Sequence, residues 1–595
     1  MAMIHYRVEA EDLRSHHFRV TLTLADPGPS PTLELALPVW IPGSYLVREF
    51  ARHLSDLQAR QGRRRLGVQP LDKARWQLQG LQPGRPLTLS WRVYAFDTSV
   101  RTAFLDEWRG FFNGTGLLLR VVGREDQPHR LQLGRLPAGW EVATAMAPAA
   151  DGTPLAFDAA DYHELVDHPF ELGSFWRGRF VARGVPHQLV VSGAAPRFDG
   201  DRLLADVQRI CEAQMALWHP AEEGQGAAPP FDRYVFLLNV TADGYGGLEH
   251  RHSTALLAAR RDLPVQGEPA ASDAYVGLLG LISHEYFHTW NVKRLKPAEF
   301  QRLDYQQENY SQLLWFFEGV TSYYDDLMLR RAGLVDAPRY LKLLERNVNG
   351  LRATPGRRVQ SVAGASHDAW IKYYRPDENS ANASVSYYVK GALVALLLDL
   401  GLRRQRSSLD ALLRRLWQDS AAGGPAPGDG AITEAQILDA TRSLGGEALA
   451  AELAAWVHGT AELPLAQRLA EAGIDWRSEH AGLAASLGLK LAESPLTGVQ
   501  VKSVLEGGAA QRAGVAAGDE ILAVDGWRVR RLDEAQAWVG RDQPFELLLV
   551  RDQRVLSRRV TPPPRDAEAA QSVALALVER LPRALARRRQ DWLDA

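Results

Sequence analysis

The stretch LISHEYFHTWNVKRLKP, residues 281–297, contains the spacing His-Glu-x-x-His. Ser272 can cap a helix that runs through DAYVGLLGLISHEYFHTWNV (273–292), and residues four apart on a helix lie on one face, about 6 Å apart along its axis. His284 and His288 can therefore direct ring nitrogens at one zinc ion, which binds such nitrogens at about 2.0–2.1 Å. Glu285 flanks that position, where it can take a proton from a bound water. The pattern predicts a hydrolytic metal centre.

A third protein ligand would distinguish such a centre from two histidines on an ordinary helix, because a catalytic zinc ion usually has three protein ligands. Asn291 and Arg294 stand where the metzincin pattern requires glycine and histidine, so the ligand lies elsewhere. Glu318, within the apolar run WFFEGV, is the next candidate, because burying a carboxylate costs several kcal/mol unless a cation meets it. An interhelical salt bridge is the alternative. Asp325, two turns further along, is predicted to accept the second ring N–H of a histidine ligand, or else to be an exposed acidic residue.

Changes in sequence character divide the chain into five segments. Alternating runs such as FRVTLTLAD and LTLSWRVYAF predict an antiparallel, sandwich-like β domain over residues 1–170. Strands mixed with long helices follow in 171–335, and mainly helical sequence follows in 336–480. Short strands with tight turns occupy 481–565, and the Ala-, Leu- and Arg-rich residues 566–595 predict a terminal amphipathic helix. The predicted fold class is multidomain α+β.

The motif HEYFHTWNVKRLKP is preceded by PVWIPGSYLVREFARHL (38–54) and followed by WFFEGVTSYYDDL. Together these segments resemble the glycyl aminopeptidase family of zinc peptidases, which is related to the aminopeptidase N and leukotriene hydrolase group. The resemblance implies a thermolysin-like α/β catalytic domain whose second half is helical. It also implies one Zn²⁺ ion, held by His284, His288 and Glu318, with Glu285 as the general base. A preference for N-terminal glycine or alanine is implied in the same way.

The segment GGLEH begins at Gly246 and resembles the Gly-x-Met-Glu-Asn strand of the aminopeptidase N group, from which it departs at Leu248 and His250. By this resemblance Glu249 holds the free amino group of the substrate, while Gly246 and Gly247 bind its backbone. A carboxylate beside an exposed glycine-rich strand suits this role, because it can pair with an ammonium while the strand pairs with a peptide. A surface glutamate near a turn is the alternative.

The segment SVSYYVKGALVALLLDL resembles the Tyr-x-Lys-Gly segment of the same group, in which the tyrosine donates to the oxyanion. Tyr388 lies three residues before Gly391 and fits that position, and its neighbour Tyr387 stays open as the donor. A phenol suits the role because it supplies a directed hydrogen bond where negative charge develops. The alternative is that neither tyrosine is catalytic.

The segment SVLEGGAAQRAGVAAGDEILAVDGWRV (503–529) resembles a PDZ domain through its small residues and the sequences AGDEIL and VDG. The preceding SLGLKL resembles the loop and edge strand that receive a peptide C-terminus, which would be formed by Ser486, Leu487, Gly488 and Leu489. The alternative is a structural module packed on the peptidase, or a groove that faces inward.

Composition narrows the classes of partner. The net charge is −2, from 69 basic and 71 acidic residues, which does not favour nucleic acid or an anionic membrane. Cys211 is the single cysteine, so no intramolecular disulfide is possible. The first residues lack a signal-peptide pattern and no apolar run approaches 18 residues, so we expect a cytoplasmic protein. The sequence leaves the oligomeric state open.

These patterns predict a zinc aminopeptidase that acts on peptides. One alternative is a zinc endopeptidase or carboxypeptidase-like enzyme on the same scaffold, with substrates recruited by the PDZ domain. Another is a non-catalytic adaptor with a structural zinc site. The presence of Glu285 argues against the adaptor, because a structural site has no need of a base.

Overall fold

The computed structural model describes residues 3–220, 229–421, 430–540 and 542–594. The chain forms two compact units. The first unit comprises Met1–Tyr310 and Trp417–Ile432, and the second comprises Ser311–Leu416 and Thr433–Ala595. The finer division of the chain into five segments stays a prediction.

The amino-terminal part of the first unit is rich in β-sheet. Its strands are β1 (Ile4–Asp12), β2 (His17–Leu24), β3 (Thr32–Ala36), β4 (Leu54–Gln61), β5 (Arg64–Arg65), β6 (Gly67–Pro70), β7 (Arg75–Gln79), β8 (Leu87–Tyr94), β9 (Ala103–Leu105), β10 (Arg109–Phe112), β11 (Arg120–Val121), β12 (His129–Leu133), β13 (Glu141–Ala143), β14 (Ala147–Pro148), β15 (Ala156–Ala159) and β16 (Phe170–Gly173), with the short helices α1 (Gly114–Leu117) and α2 (Tyr162–Val166). An eight-stranded sheet has the order β14-β15-β12-β1-β2-β8-β4-β5, and two four-stranded sheets have the orders β13-β16-β10-β9 and β11-β3-β7-β6.

Alternating burial explains why this sequence forms strands. Every second residue of β2 is buried, so one face of the strand packs on the core. Phe18, Leu22, Leu89 and Trp91 are fully buried in this core. Pairing is antiparallel throughout, as predicted, except that β1 and β12 run parallel.

A five-stranded mixed sheet follows in the first unit. Its elements are β17 (Trp176–Ala182), β18 (Val185–Ser192), helix α3 (Gly200–Trp218), β19 (Tyr234–Thr241), β20 (Gly246–Glu249), β21 (Ser253–Ala259) and helix α4 (Asp273–Phe287), and β22 (Leu295–Pro297) pairs with β23 (Gly430–Ile432). The strand order is β17-β18-β19-β21-β20. Strands β18, β19 and β21 are parallel, and β19 reads YVFLLNVT without alternation because it is buried on both faces. Strand β20 is antiparallel to β21 and forms one edge of this sheet.

Helix α4 carries the His-Glu-x-x-His motif and begins at the predicted cap. Ser272 Oγ accepts a hydrogen bond of 3.0 Å from the backbone N–H of Tyr275. Gln214 of helix α3 donates to the backbone oxygen of Ser283 at 2.7 Å, which joins the two helices. The helix is apolar on almost every side, as a buried helix must be. It ends at Phe287 rather than at the predicted Val292, whose φ of 118° is not helical, so the second histidine of the motif is its C-cap residue.

Helices predominate in the first part of the second unit. After a π-helical turn at Trp315–Gly319 come α5 (Val320–Arg331), α6 (Ala337–Arg352), α7 (Val362–His367), α8 (Ser380–Ala383), α9 (Tyr387–Arg404), α10 (Leu409–Ala421), α11 (Glu434–Gly445), α12 (Glu447–His458) and α13 (Leu465–Glu471). Within the described residues, the run Ser380–Arg404 is long and apolar enough to cross a membrane by composition, but 83% of its apolar window is buried inside the protein. A core helix has the same properties.

The π-helical turn and helix α9 approach each other through glycines. A Cβ atom added to Gly319 would lie 2.5 Å from Gly391 Cα, and one added to Gly391 would lie 2.8 Å from the backbone oxygen of Trp315. No side chain fits in this space, so the two backbones are in direct contact. This contact places Glu318 beside the first turn of α9.

The carboxyl-terminal part of the second unit contains the PDZ region. Its elements are β24 (Ile474–His480), α14 (Leu483–Leu487), β25 (Leu489–Ser494), β26 (Gly498–Val504), α15 (Ala509–Arg512), β27 (Glu520–Val524), β28 (Trp527–Arg528), β29 (Phe545–Arg551), β30 (Arg554–Val560), β31 (Gln571–Leu577) and α16 (Arg583–Leu593). The main sheet has the order β25-β26-β27-β29-β30, with β28 on β27. The helix predicted for residues 566–595 occupies only α16, because β31 pairs along its whole length with β24 and buries Val573, Ala574 and Leu575.

The glycine contact in the second unit generates a stability prediction. Gly319→Ala should lower the midpoint of thermal unfolding, because the added carbon meets backbone atoms that no side-chain rotation can move, at a cost of about 1–3 kcal/mol. Gly350→Ala is the matched control: Gly350 lies in α6 with nothing within 4 Å of the added carbon, so this change should stabilise by up to about 1 kcal/mol. Calorimetry of the full chain measures both, and equal midpoints for the two variants would contradict the prediction.

Candidate active site

Helix α4 brings the two histidines of its motif to one point. His284 Nε2 and His288 Nε2 lie 3.1 Å apart. Two nitrogens bound tetrahedrally to one zinc ion at about 2.0–2.1 Å are separated by roughly 3.3 Å, so the observed spacing fits a shared metal ion. His288 is 1% exposed and His284 is half-buried, which leaves the pair accessible from one side.

The second ring nitrogen of His288 is held by the backbone. Its Nδ1–H donates to the carbonyl oxygen of Asn291 at 2.9 Å, and the backbone N–H of Lys293 donates to the carbonyl oxygen of His288 at 3.1 Å. A carbonyl can only accept, so this bond fixes the tautomer in which Nε2 carries the lone pair for a metal. The donor set of α4 therefore fits a zinc ion. For His288, the partner of the second ring nitrogen is therefore the backbone of Asn291 and not Asp325.

An ion pair anchors the loop that follows α4. Lys293 Nζ donates to Asp167 at 2.8 Å, and Asp167 also accepts from His250 Nδ1 at 3.0 Å and from the backbone N–H of Arg251 at 3.1 Å. Burial alone would raise the pKa of Asp167, but the charge of Lys293 and the bond from His250 hold it well below its usual range. Between the anchor and α4, Val292 has a φ of 118°, an uncommon value for a β-branched residue. The loop that orients His288 is thus held firmly in a strained conformation.

The glycine-rich strand β20 lies directly on the carboxylate of the motif. A Cβ atom at Gly247 would lie 2.0 Å from Glu285 Oε1, so only glycine allows this approach. Glu285 is 5% exposed and Glu249, two residues along β20, is 4% exposed. A carboxylate oxygen of each glutamate and a ring nitrogen of His288 all lie within 4.8 Å of one another. The base candidate, the amine-binding candidate and a metal-ligand candidate therefore surround one small space.

A turn from the amino-terminal β region covers Glu249. A Cβ atom at Gly43 would lie 2.4 and 2.5 Å from the two carboxylate oxygens of Glu249, and Gly43 has a φ of +88°. The side chain of Glu249 is therefore held against bare backbone. Glu249 also lines a cavity of about 830 Å³ together with Trp40 and Tyr45 of the same turn. The contact with Gly43 could not be found from the sequence, where the segment PVWIPGSYLVREFARHL supports only the family resemblance.

The remaining catalytic candidates lie in the second unit. Glu318 is 2% exposed and sits in the π-helical turn, a rare conformation that is often found at functional sites. Tyr387 is fully buried, whereas Tyr388 is partly exposed, so Tyr388 is the tyrosine of the pair that a ligand can reach. Burial, and then the charge of Glu318, raise the pKa of Tyr388 well above 10, so its hydroxyl keeps its proton. Asp325 is half-buried in helix α5.

The PDZ candidates form the junction between α14 and β25. Ser486 and Leu487 end the short helix, Gly488 has a φ of 76°, and Leu489 begins β25, the edge strand of the sheet. This arrangement of a glycine turn before an edge strand is the one that receives peptide C-termini. Asn382 of the helical region bonds to the same module, donating to Val504 O at 3.0 Å and accepting from the backbone N–H of Glu506 at 2.8 Å.

Comparison with known proteins supports this arrangement. The M61 glycyl aminopeptidase model matches residues 277–394, the peptidase M61 N-terminal domain matches residues 5–174, and a PDZ domain model matches residues 500–551. A search of curated proteins found no match.

Among solved structures, an aminopeptidase N family protein from Idiomarina loihiensis is 35% identical, with all of both chains covered and a TM-score of 0.89. The M1 zinc metallopeptidase from Deinococcus radiodurans is 14% identical over 78% of this chain and 94% of its own, with a TM-score of 0.46. Native leukotriene A4 hydrolase from Saccharomyces cerevisiae is 12% identical over 79% of this chain and 70% of its own, with a TM-score of 0.45. From the family models and the Idiomarina structure, the chain belongs to the M61 glycyl aminopeptidase family of peptide hydrolases and carries a PDZ domain in its carboxyl-terminal part.

Proposed function

We propose that this protein is a zinc-dependent aminopeptidase that releases single N-terminal residues from peptides. The observation that carries the proposal is the meeting of Glu249, Glu285 and His288 beneath the glycine-rich strand β20. By the family resemblance, His284, His288 and Glu318 are the proposed ligands of one ion. A zinc ion bound there supplies Lewis acidity, which lowers the pKa of a water and polarises the scissile carbonyl.

Glu285 acts as the general base. Its carboxylate is one residue from His284 along α4 and is pressed against Gly247, so it has little freedom to turn away. It takes a proton from the attacking water and passes it to the leaving amine, a contribution that is typically worth about 10²–10⁴-fold in rate.

Glu249 binds the substrate's free amino terminus and so fixes which peptide bond lies beside Glu285. A buried carboxylate favours an ammonium partner, because burying either charge alone costs several kcal/mol. Strand β20 is the last of its sheet, so a peptide backbone can pair along Gly246 and Gly247 as an added strand. The scissile bond then follows the first residue of the substrate, because Glu285 lies under Gly247.

Tyr388 donates a hydrogen bond to the oxyanion as it forms. Its raised pKa keeps the hydroxyl protonated, and one such donor typically contributes about 2.7–4 kcal/mol to lowering the barrier. Asp325 is proposed to accept the second ring N–H of a histidine ligand. The same proposal includes a preference for N-terminal glycine or alanine. It also includes binding of a peptide C-terminus in the groove beside Gly488 and β25, and a cytoplasmic location.

Removing the base tests the mechanism. Glu285→Gln should lower kcat for an alanyl arylamide by about 10²–10⁴-fold while zinc content, measured on the same preparation, stays near that of the wild type. Glu212→Gln, on the exposed face of helix α3, is the matched control and should leave kcat unchanged. In the wild type, chelation should abolish hydrolysis and added zinc should restore it. Full activity of Glu285→Gln would rule out this mechanism.

Blocking the substrate's amine separates an aminopeptidase from an endopeptidase. N-acetylation of an alanyl peptide should lower kcat/KM by about 10²-fold or more, because Glu249 would stay buried without a cation. Liquid chromatography of the products gives the rates for the free and acetylated peptides. Equal cleavage of both would favour the endopeptidase whose substrates the PDZ domain recruits.

Filling the space between Gly43 and the Glu249 carboxylate tests the proposed amine site. Gly43→Ala should raise KM for the arylamide about tenfold or more, with a smaller effect on kcat, because the added carbon displaces the carboxylate. Gly184→Ala is the matched control, since Gly184 has a similar φ of +84° but nothing within 4 Å of the added carbon. If both variants show the same KM, Gly43 does not position Glu249.

A further inference from the structure

Arg101 places a guanidinium group at the edge of strand β20. Its Nη2 lies 3.4 Å from the carbonyl oxygen of Gly247, and its Nη1 lies 3.5 Å from the position of a Cβ atom at Gly246. Its Nε donates at 3.2 Å to Oγ of Ser44, a fully buried residue of the turn that also holds Gly43. The stem of the side chain is therefore anchored, and the two terminal nitrogens are directed at the glycine strand.

The charge of Arg101 is not matched by a neighbouring carboxylate. Among the described residues, no Asp or Glu oxygen lies within the 4.0 Å of a salt bridge from its guanidinium. The side chain is half-buried, so the group is neither fully solvated nor paired. A half-buried arginine with an anchored Nε and two directed terminal nitrogens is well suited to bind a planar anion such as a carboxylate.

The order of groups along β20 indicates which part of a substrate Arg101 would meet. Glu249, the proposed amine site, lies at the end of β20. Two residues before it is Gly247, which contacts the proposed base Glu285, and Gly246 comes one residue earlier still. A peptide that starts at Glu249 and is cut beside Glu285 must continue towards Gly246. Arg101 reaches Gly247 O with Nη2 and the Gly246 position with Nη1, so it would meet the residue that follows the scissile bond.

We propose that Arg101 binds the free α-carboxylate of the residue that follows the scissile bond, so that dipeptides are the preferred substrates. This inference rests on the proposed function, because it takes Glu249 as the amine site and Glu285 as the base. A dipeptide has an ammonium at one end and a carboxylate one residue beyond the cleaved bond, which matches Glu249 and Arg101 in sign and order. In a longer peptide the same position is occupied by a neutral amide, which gains less from a guanidinium.

The test compares alanyl-alanine with its C-terminal amide, alanyl-alaninamide, because the two differ only in the charge of the terminal group. For the wild type we expect kcat/KM to be at least about tenfold higher for the free acid. Arg101→Met should bring the ratio of the two values close to one, and Arg101→Lys should give an intermediate ratio, because an ammonium keeps the charge without the planar fork. Arg209→Met, on the exposed face of helix α3, is the control that should keep the wild-type ratio.

A wild-type ratio near one would overturn the assignment. An Arg101→Met variant that loses activity on both substrates by the same factor would overturn it too, because Arg101 would then only support the conformation of β20. If Arg101→Met does not fold, Arg101→Lys tests the assignment, because an unchanged wild-type ratio in that variant would overturn it as well. Failure of the proposed function gives a different result, in which the wild type hydrolyses neither dipeptide nor an alanyl arylamide, or cleaves N-acetylated peptide as fast as free peptide.

Discussion

The contact between the glycine strand and two buried carboxylates is the constraint on which the first unit's site depends. Gly247 lies on Glu285 and Gly43 lies on Glu249, and oxygens of the two glutamates come within 4.8 Å of each other. Two such charges repel by about 3–4 kcal/mol at an effective dielectric constant of about 20. The arrangement therefore favours any state that brings positive charge, and a metal ion beside Glu285 and a substrate ammonium on Glu249 would do so from opposite sides.

The amino-terminal β region builds part of this site rather than serving as an attached module. Three of its residues touch the catalytic elements of the first unit: Gly43 contacts Glu249, Arg101 contacts the glycine strand, and Asp167 holds Lys293 in the loop after α4. A truncated catalytic segment would keep His284 and His288 on their helix. It would lack the groups that contact Glu249, the glycine strand and Lys293, so the candidate site depends on both sheet regions.

Sequence spacing predicted those parts of the site that lie on one element. The His-Glu-x-x-His spacing and the cap at Ser272 predicted a helix with both histidines on one face, and the structure has this helix. The roles of those residues stay predictions. Arg101 and the carbonyl of Asn291 were missed for different reasons: Arg101 reaches β20 from 146 residues away, and a backbone oxygen leaves no trace in residue identity. The π-helical turn at Glu318 also depends on tertiary packing, through the glycine contact with α9.

A substrate that is bound at both of its charged ends limits which peptide the PDZ domain can bind. If Glu249 binds the ammonium and Arg101 binds the carboxylate, both charged groups of a dipeptide are bound within the first unit. The junction at Gly488 is also proposed to bind a terminal carboxylate, and a single dipeptide has only one. The peptide bound by the PDZ domain must then be a different molecule from the preferred substrate. Asn382, six residues before Tyr388, connects this module to the helical region through its bonds to Val504 and Glu506.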